Sequence, residues 1–292
     1  MSKPLLIDTH AHINFNPYKD DGDEVIKRTL KEDVWLINVG AQYSTSRRAV
    51  QYAKKYPVGV YAAVGLHPIH LEDRIFKESI DKEAIEFSSK KEEFDFEKYL
   101  ALARDKKVVA VGEIGLDYKI ENKEKEDEIK EKQKQVFLEQ IDLARQIDKP
   151  AIIHCRQAYD DLLEVLVAFQ DGCARCAFSC PGAGSEQIKG VIHCFVGGME
   201  QAERFLEMGF YLGFNGIITF SEQYDEIIKE VPLEKILLET DCPYLSPEPH
   251  RGKRNEPLYV RYAAEKIAKI KRLKYEEVAE QTTKNARELF GI

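Results

Sequence analysis

The chain has 292 residues, of which 43% are apolar and 32% charged, as in an ordinary globular protein. Its formal net charge of −8 argues against binding nucleic acid through a broad basic face, although bound divalent metals can supply positive charge locally. No apolar run approaches the roughly 18 residues of a transmembrane helix, and the N-terminus lacks the apolar core of a signal peptide. We therefore expect a cytoplasmic protein that binds no membrane.

Eight short apolar runs along the chain predict β-strands. Most of them are continuous and lack polar alternation, which is typical of parallel strands buried on both faces. The runs are Leu5–Asp8, Val34–Val39, Val58–Leu66, Val108–Ile114, Ala151–His154, Gly190–His193, Phe210–Phe214 and Ile236–Thr240.

Segments with helical periodicity separate these runs, and two more follow the last run. Strand–helix alternation repeated eight times favours an α/β fold, the (β/α)8 TIM barrel with a parallel eight-stranded core. An open doubly wound sheet is the structural alternative. We expect one domain over residues 1–292. The predicted helices are Glu24–Glu32, Thr45–Lys55, Phe94–Arg104, Lys125–Ile147, Tyr159–Phe169, Met199–Met208, Gln223–Lys229, Leu258–Lys269 and Tyr275–Leu289.

Two segments look like insertions into this pattern. Glu72–Glu93 is polar and follows the third strand, and a Cys-rich segment near 170–187 precedes the sixth. The second contains Cys173, Cys176 and Cys180, for which loop cysteines, a structural metal site and redox reactivity all stay open.

Three further cysteines each follow a candidate metal ligand by one residue. Adjacent residues of a strand point to opposite sides, so these thiols should pack away from the metal. They are Cys155, Cys194 and Cys242.

Five of the eight predicted strands end on histidine or carboxylate residues, and in a barrel these ends converge on one face. His10 and His12 are two residues apart on an extended segment and therefore point the same way. Each histidine alone could instead be an ordinary loop residue, or a core residue whose hydrogen bonds are satisfied within the protein. Six ligands together exceed one tetrahedral zinc site and suit two divalent metal ions, Mg, Mn or Zn, that share a carboxylate. The candidates are His10, His12, Glu113, His154, His193 and Asp241.

These strand ends form part of a longer series of motifs. The motifs are Ile7-Asp8-Thr9-His10-Ala11-His12, Gly65-Leu66-His67-Pro68, Gly112-Glu113-Ile114-Gly115-Leu116-Asp117-Tyr118, His154-Cys155-Arg156, His193-Cys194-Phe195, Glu239-Thr240-Asp241-Cys242-Pro243-Tyr244-Leu245 and His250-Arg251-Gly252-Lys253-Arg254-Asn255-Glu256-Pro257. In this order the series resembles the motifs of the TatD family of metal-dependent deoxyribonucleases. The resemblance extends from about residue 5 to residue 290 and includes the ending 285–290, Asn-Ala-Arg-Glu-Leu-Phe.

The resemblance implies a role for each candidate ligand. His10 and His12 would bind the first metal together with Asp241, and Glu113 would bridge both metals. The remaining two histidines, His154 and His193, would bind the second. Asp241 would also act as general base towards the attacking water.

The resemblance further implies a deoxyribonuclease, expected to be exonucleolytic and to act on single strands or damaged ends. His67 and Arg156 are candidates for holding phosphate oxygens, since arginine can donate two parallel hydrogen bonds. Arg251 lies in a basic loop, 250–254, that is either a phosphate-side patch or a solvated loop. Asp8 is expected to orient a neighbouring ligand.

Two other functions remain open at this point. A metal-dependent ester or amide hydrolase, for example one that deacylates mischarged tRNA, would use the same metal centre. A metal-binding or redox protein without hydrolytic activity would rely on the cysteine insertion. The sequence does not determine the oligomeric state, although a monomer is favoured.

Overall fold

The computed structural model describes residues 4–80, 83–170 and 188–292. Cys173, Cys176 and Cys180 lie outside the described residues, so the three interpretations of the Cys-rich insertion stay open.

Eight parallel strands form one sheet, and every predicted strand is confirmed. In chain order, the strands of this sheet are β1 (Leu6–Ala11), β2 (Val34–Val39), β3 (Val60–Val64), β6 (Val108–Asp117), β7 (Ala151–Arg156), β8 (Gly190–Ile192), β9 (Tyr211–Phe214) and β10 (Ile236–Leu238). Between β3 and β6, the strands β4 (Arg74–Ile80) and β5 (Glu83–Ser89) form a separate hairpin. The order in the large sheet is β1-β2-β3-β6-β7-β8-β9-β10.

The sheet curves until its last strand approaches its first. A parallel bridge joins Ala11 to Cys242. The backbone N–H of His12 donates to Cys242 O at 2.9 Å, and that of Asp241 donates to His10 O at 2.8 Å. Spatial strand order follows chain order without the reversal that defines a doubly wound sheet. The fold is therefore a nearly closed (β/α)8 barrel, and the open-sheet alternative is wrong.

Helices follow the strands and cover the outside of the barrel. In α2 (Tyr43–Lys54), for example, Ser46, Ala49, Val50 and Ala53 are buried, the spacing of a single helical face. The helices are α1 (Gly22–Lys31), α2 (Tyr43–Lys54), α3 (Phe96–Ala103), α4 (Glu126–Gln146), α5 (Tyr159–Gln170), α6 (Met199–Glu207), α7 (Asp225–Glu230), α8 (Val260–Lys271) and α9 (Tyr275–Phe290). None of the described helices is long and apolar enough to cross a membrane.

The polar insertion after β3 contains a hairpin that the sequence analysis did not predict. Its antiparallel strands are β4 (Arg74–Ile80) and β5 (Glu83–Ser89). Charged residues interrupt the apolar run here, yet Ile85-Glu86-Phe87-Ser88 alternates with the period of two that indicates a strand.

The interior of the barrel is apolar at the end where the strands begin. Ile7, Ile37, Ile152 and Leu237 belong to one buried cluster, which is closed by residues of α9. Their strand neighbours belong to the larger cluster that packs against the surrounding helices. The alternation places the first set inside the barrel. The opposite end is therefore the one that holds the polar residues.

Candidate metal centre

All six predicted ligands lie together at the carboxyl ends of the strands, around Glu113. Its Oε2 is 3.4 Å from His10 Nε2 and 3.8 Å from His12 Nε2. Its Oε1 is 3.0 Å from His154 Nδ1 and 3.9 Å from His193 Nε2. The two oxygens of one buried carboxylate thus face different histidines, and His67 is a further neighbour of Oε1.

Asp241 completes the group from the segment that follows β10. Its Oδ1 is 3.3 Å from His12 Nε2 and 3.8 Å from His193 Nε2. The residue has a φ of +56°, a left-handed conformation that is costly for a side chain with a Cβ. The hydrogen bond from its backbone N–H to His10 O holds it in this position.

The positions of the ring nitrogens of His10 and His12 indicate whether a metal ion fits here. The two Nε2 atoms are 3.1 Å apart. His12 Nδ1 is 2.9 Å from Val39 O and donates to it, which leaves the lone pair of Nε2 directed at the centre. Two such nitrogens beside two carboxylates form a set of donors that a divalent cation satisfies.

The remaining two histidines have carboxylates behind them. His154 Nε2 is 3.1 Å from Asp117 Oδ2. His193 Nδ1 is 3.0 Å from Glu239 Oε2, an ion-pair distance at which the ring N–H is not aligned as a hydrogen-bond donor. Each pairing turns the other ring nitrogen towards Glu113, as in the carboxylate–histidine–metal arrangements of metalloenzymes. The residues therefore fit a metal site.

Asp117 and Glu239 are the residues to which sequence reasoning assigned no role. Both stood inside quoted motifs, four residues after Glu113 and two before Asp241. Lys119 N donates to Asp117 Oδ1 at 3.0 Å, and Glu239 Oε1 accepts from the backbone N–H of Cys194 at 2.6 Å. The sequence did offer a signal for these two residues, because each is a second carboxylate near the end of a strand that already carries a predicted ligand.

His67 lies beside the centre, 5% exposed, with Nε2 at 3.3 Å from Glu113 Oε1. Its Nδ1 accepts a hydrogen bond from Ile69 N at 3.1 Å. In the neutral ring Nε2 therefore carries the proton and acts as a donor. Proximity alone would count His67 as a ligand, because ligand atoms lie within 4.8 Å of one another in three groups: His10, His12 and Glu113; His67, Glu113 and His154; and His10, His193 and Glu239.

Burial and neighbouring charges shift the pKa values of the buried histidines and of Glu113 in different directions. Burial and the neighbouring His193 lower the pKa of His10 to about 4. Burial opposes protonation of His154, but its hydrogen bonds to Asp117 and Glu113 outweigh this and raise its pKa to about 9. Burial alone would raise the pKa of Glu113, yet the surrounding histidines hold it well below its usual range. The Glu113 carboxylate is thus ionised and attracts a cation to the centre.

Comparison with known proteins gives this centre its context. The model of the family described as TatD related DNase matches residues 7–291. The chain belongs to this family. It is 39% identical to the uncharacterized metal-dependent hydrolase YabD of Bacillus subtilis, over 99% of this chain and 100% of that protein. It is 33% identical to the uncharacterized metal-dependent hydrolase YcfH of Escherichia coli K12, over 99% of this chain and 96% of that protein.

A solved structure agrees with the family assignment. The TatD homologue YJJV of Escherichia coli matches with a TM-score of 0.80 and 28% identity over all of both chains. The resemblance inferred from the sequence motifs is therefore confirmed. The chain is a metal-dependent hydrolase of the TatD family.

Behind the TatD-family centre, Asp8 joins the first strand to the last. It is fully buried and accepts hydrogen bonds from the backbone N–H groups of His10 at 3.2 Å and Thr240 at 2.9 Å. It also accepts one from Thr240 Oγ1 at 2.6 Å. Asn255 holds the same segment from the other side, since its Nδ2 donates to Thr240 O at 2.9 Å.

The cations predicted to contact substrate lie at different places around this TatD-family centre. Arg156 ends β7 and is exposed. Arg251 is exposed, and Lys253 lies on the same loop. Arg254 instead donates to Asp21 Oδ1 at 2.9 Å, which fastens the loop to the segment before α1. The basic loop is therefore partly a structural tie.

The three cysteines next to ligands differ in their surroundings. Cys155 and Cys242 lie in the hydrophobic core, which confirms the predicted packing. Cys194 is half-buried with a φ of +47°, and its backbone N–H contacts Glu239, so the turn after β8 takes it out of the regular strand.

Proposed function

We propose that this TatD-family hydrolase is a deoxyribonuclease that removes nucleotides from single-stranded or damaged DNA ends and uses two divalent metal ions. The observation that carries the proposal is the position of Glu113, whose two carboxylate oxygens face different histidine pairs. The family description supports the choice of DNA as substrate. We further expect a monomer that acts in the cytoplasm.

In this proposal the six ligands divide as the family resemblance implies. His10, His12 and Asp241 would hold one ion, the other two histidines, His154 and His193, would hold the second, and Glu113 would serve both. Bound Mg, Mn or Zn would supply Lewis acidity and lower the pKa of a coordinated water.

Asp241 is the general base of this proposal. Its side chain is 16% exposed, so it borders both the ligands and the entrance. Burial would raise the pKa of this carboxyl, but hydrogen bonding to His12 and the charges of the other histidines lower it. An ionised carboxylate with a low pKa is a weak base, so it would accept a proton readily only from a water that bound metal has acidified.

Two donors are placed to bind the phosphate. His67 directs its Nε2 proton into the centre, where a phosphate oxygen would compete with Glu113 Oε1 for it. Arg156 lies two residues beyond His154 with an exposed guanidinium that suits a phosphate oxygen pair. Arg251 contributes a positive charge from the loop after β10.

Hydrolysis of end-labelled single-stranded DNA tests the proposal. Metal-stripped protein is assayed after addition of magnesium, manganese or zinc, with Asp241→Asn in parallel. Exposed Asp20→Asn, the same chemical change at a side chain that is 87% exposed, is the matched control. Metal-dependent shortening of the strand that only Asp241→Asn abolishes supports the nuclease. Folded protein that cleaves no DNA with any metal refutes it and favours ester or amide substrates on the same centre.

A further inference from the structure

Phe220 and Arg251 form a stacked pair on the outside of two adjacent loops. The Cζ atom of Arg251 lies 3.8 Å from the centroid of the Phe220 ring. The guanidinium is held there by a hydrogen bond that its Nη1 donates to Ser246 O at 3.0 Å. Phe220 is nevertheless 40% exposed, and among the described residues it is the aromatic member of five large exposed apolar side chains.

The pair lies at the catalytic end of the barrel. Phe220 follows β9 by six residues, and Arg251 belongs to the segment that begins at Asp241. The two loops touch closely, since a Cβ on Gly216 would be 2.3 Å from Leu245 O. The backbone N–H of Glu248 also donates to Thr219 Oγ1 at 2.9 Å. The pair is thus firmly connected to the segment that carries Asp241.

We propose that Phe220 and Arg251 form a stacking platform for a nucleobase of single-stranded DNA, next to the nucleotide that is cleaved. This inference rests on the proposed function, because it assumes that DNA reaches the metal centre. Every base offers a flat face to an aromatic ring or a guanidinium, so the contact tolerates any sequence.

Charge supports this occupant. The chain carries a net charge of −8, so an anionic strand is attracted only by local cations. Arg251 places such a cation against the exposed ring of Phe220. There the guanidinium can contact the backbone phosphate of a stacked nucleotide. Bases of an intact duplex are stacked on one another and do not expose their faces. The platform therefore selects single-stranded or frayed ends.

The substitution Phe220→Trp converts the platform into a reporter. The chain has one tryptophan, Trp35, which is 8% exposed and lies in the barrel interior cluster. A base stacked on the new indole should quench its fluorescence. Val167→Trp is the matched control, because Val167 is 38% exposed and lies on α5.

Both variants are titrated, with metal bound, with a single-stranded phosphorothioate DNA that resists cleavage. An abasic strand of equal length and charge is titrated in parallel. We expect quenching at position 220 by the strand that carries bases, and none by the abasic strand or at position 167. Equal quenching by both strands, equal quenching at both positions, or no quenching overturns the platform.

A second pair of variants measures its energetic weight. Phe220→Leu keeps an apolar side chain without a flat ring and should weaken binding of single-stranded DNA about tenfold, whereas Phe220→Tyr should retain it. Equal affinity of the two variants contradicts stacking. Cleavage by the unmodified protein is scored separately. Quenching without cleavage refutes only the nuclease proposal, and cleavage without quenching refutes only the platform.

Discussion

The two ends of the barrel are built from the same strands but from opposite kinds of residue. At the amino end, Ile7, Ile37 and Leu237 pack against the C-terminal helix, which contributes Leu289 and Phe290. At the carboxyl end, other residues of the barrel strands and of the turns after them are buried histidines and carboxylates, such as His10, Glu113 and Glu239. Burial of apolar groups stabilises a fold, whereas burial of several charges opposes it.

The amino end therefore stabilises the barrel, whereas the carboxyl end buries charged groups that lower its stability but that the reaction requires. Glu113 Oε2 lies 3.4 Å from His10 Nε2 and Glu113 Oε1 lies 3.9 Å from His193 Nε2, so a buried carboxylate and two buried histidines share one site. Such groups are retained because a bound cation satisfies them. Substitutions at the two ends should therefore separate activity from stability.

The largest effect is expected from Glu113→Gln. The amide keeps the shape but loses the charge that faces both histidine pairs, so metal occupancy should fall. The hydrolytic rate should drop about a thousandfold or more, because bound metal supplies several kcal/mol of transition-state stabilisation. Metal content per chain and turnover rate measure this, with circular dichroism as the folding control. Full occupancy and near-normal turnover would show that Glu113 does not bridge.

The opposite end is tested by Phe290→Ala. Phe290 is 5% exposed and closes the amino end, so its removal should lower the free energy of unfolding by about 3 kcal/mol. The specific activity of the folded fraction should stay unchanged. Urea unfolding measures the first quantity and initial rates the second, with Leu273→Ala, 38% exposed, as a control that should change little. A loss of turnover at full folding would couple the two ends.

A smaller effect on chemistry is expected from Glu239→Gln. The change removes a charge behind His193 while its ligand nitrogen remains, so metal affinity should fall about 10- to 100-fold. Burial opposes protonation of His193, but Glu239 and Asp241 outweigh it and raise its pKa to about 10. Metal must displace this proton, so affinity in the unmodified protein should rise with pH towards that value.

Calorimetric titrations with zinc from pH 6 to pH 9 check both parts of this expectation. The slope of affinity against pH should be shallower in Glu239→Gln, because the main charge that holds the proton on His193 is gone. An unaltered slope would argue that His193 does not bind metal.

The missed carboxylates show where sequence reasoning ended. Glu113, His154 and His193 were predictable because each stands at the end of a buried apolar run. The role of Asp117 depends on the register of β6 against β7, which pairs Gly115 with His154 and so brings that ring beside the carboxylate. A linear sequence does not encode which ring nitrogen a distant carboxylate reaches.

The basic loop shows the same limit for cations. Arg251 and Arg254 are three residues apart and look alike in the sequence. Arg254 pairs with Asp21, which is 233 positions away, whereas Arg251 stacks on Phe220 from another loop. The barrel and the positions of the predicted ligands follow from local patterns, but the partner of each arginine is set by loops that meet only after the barrel closes.

The smallest effect is expected from Asp21→Asn, which breaks the tie between the loop and the segment before α1. The side chains of Arg254 and Asp21 are 20% and 32% exposed, so solvent screens their attraction. The substitution should therefore lower the free energy of unfolding at neutral pH by about 1 kcal/mol or less. The hydrogen bond from Arg254 lowers the pKa of Asp21.

A carboxyl with a lowered pKa contributes stability above its unfolded-state pKa and loses that contribution as pH falls through its folded-state pKa. The difference between Asp21→Asn and the unmodified protein should therefore be present at pH 7 and fade in acid. Urea unfolding at pH 7 and at about pH 3 measures this. A difference that persists undiminished in acid would mean that Asp21 holds the loop by its hydrogen bonds and not by its charge. The loop would then stabilise the fold, as the apolar amino end of the barrel does.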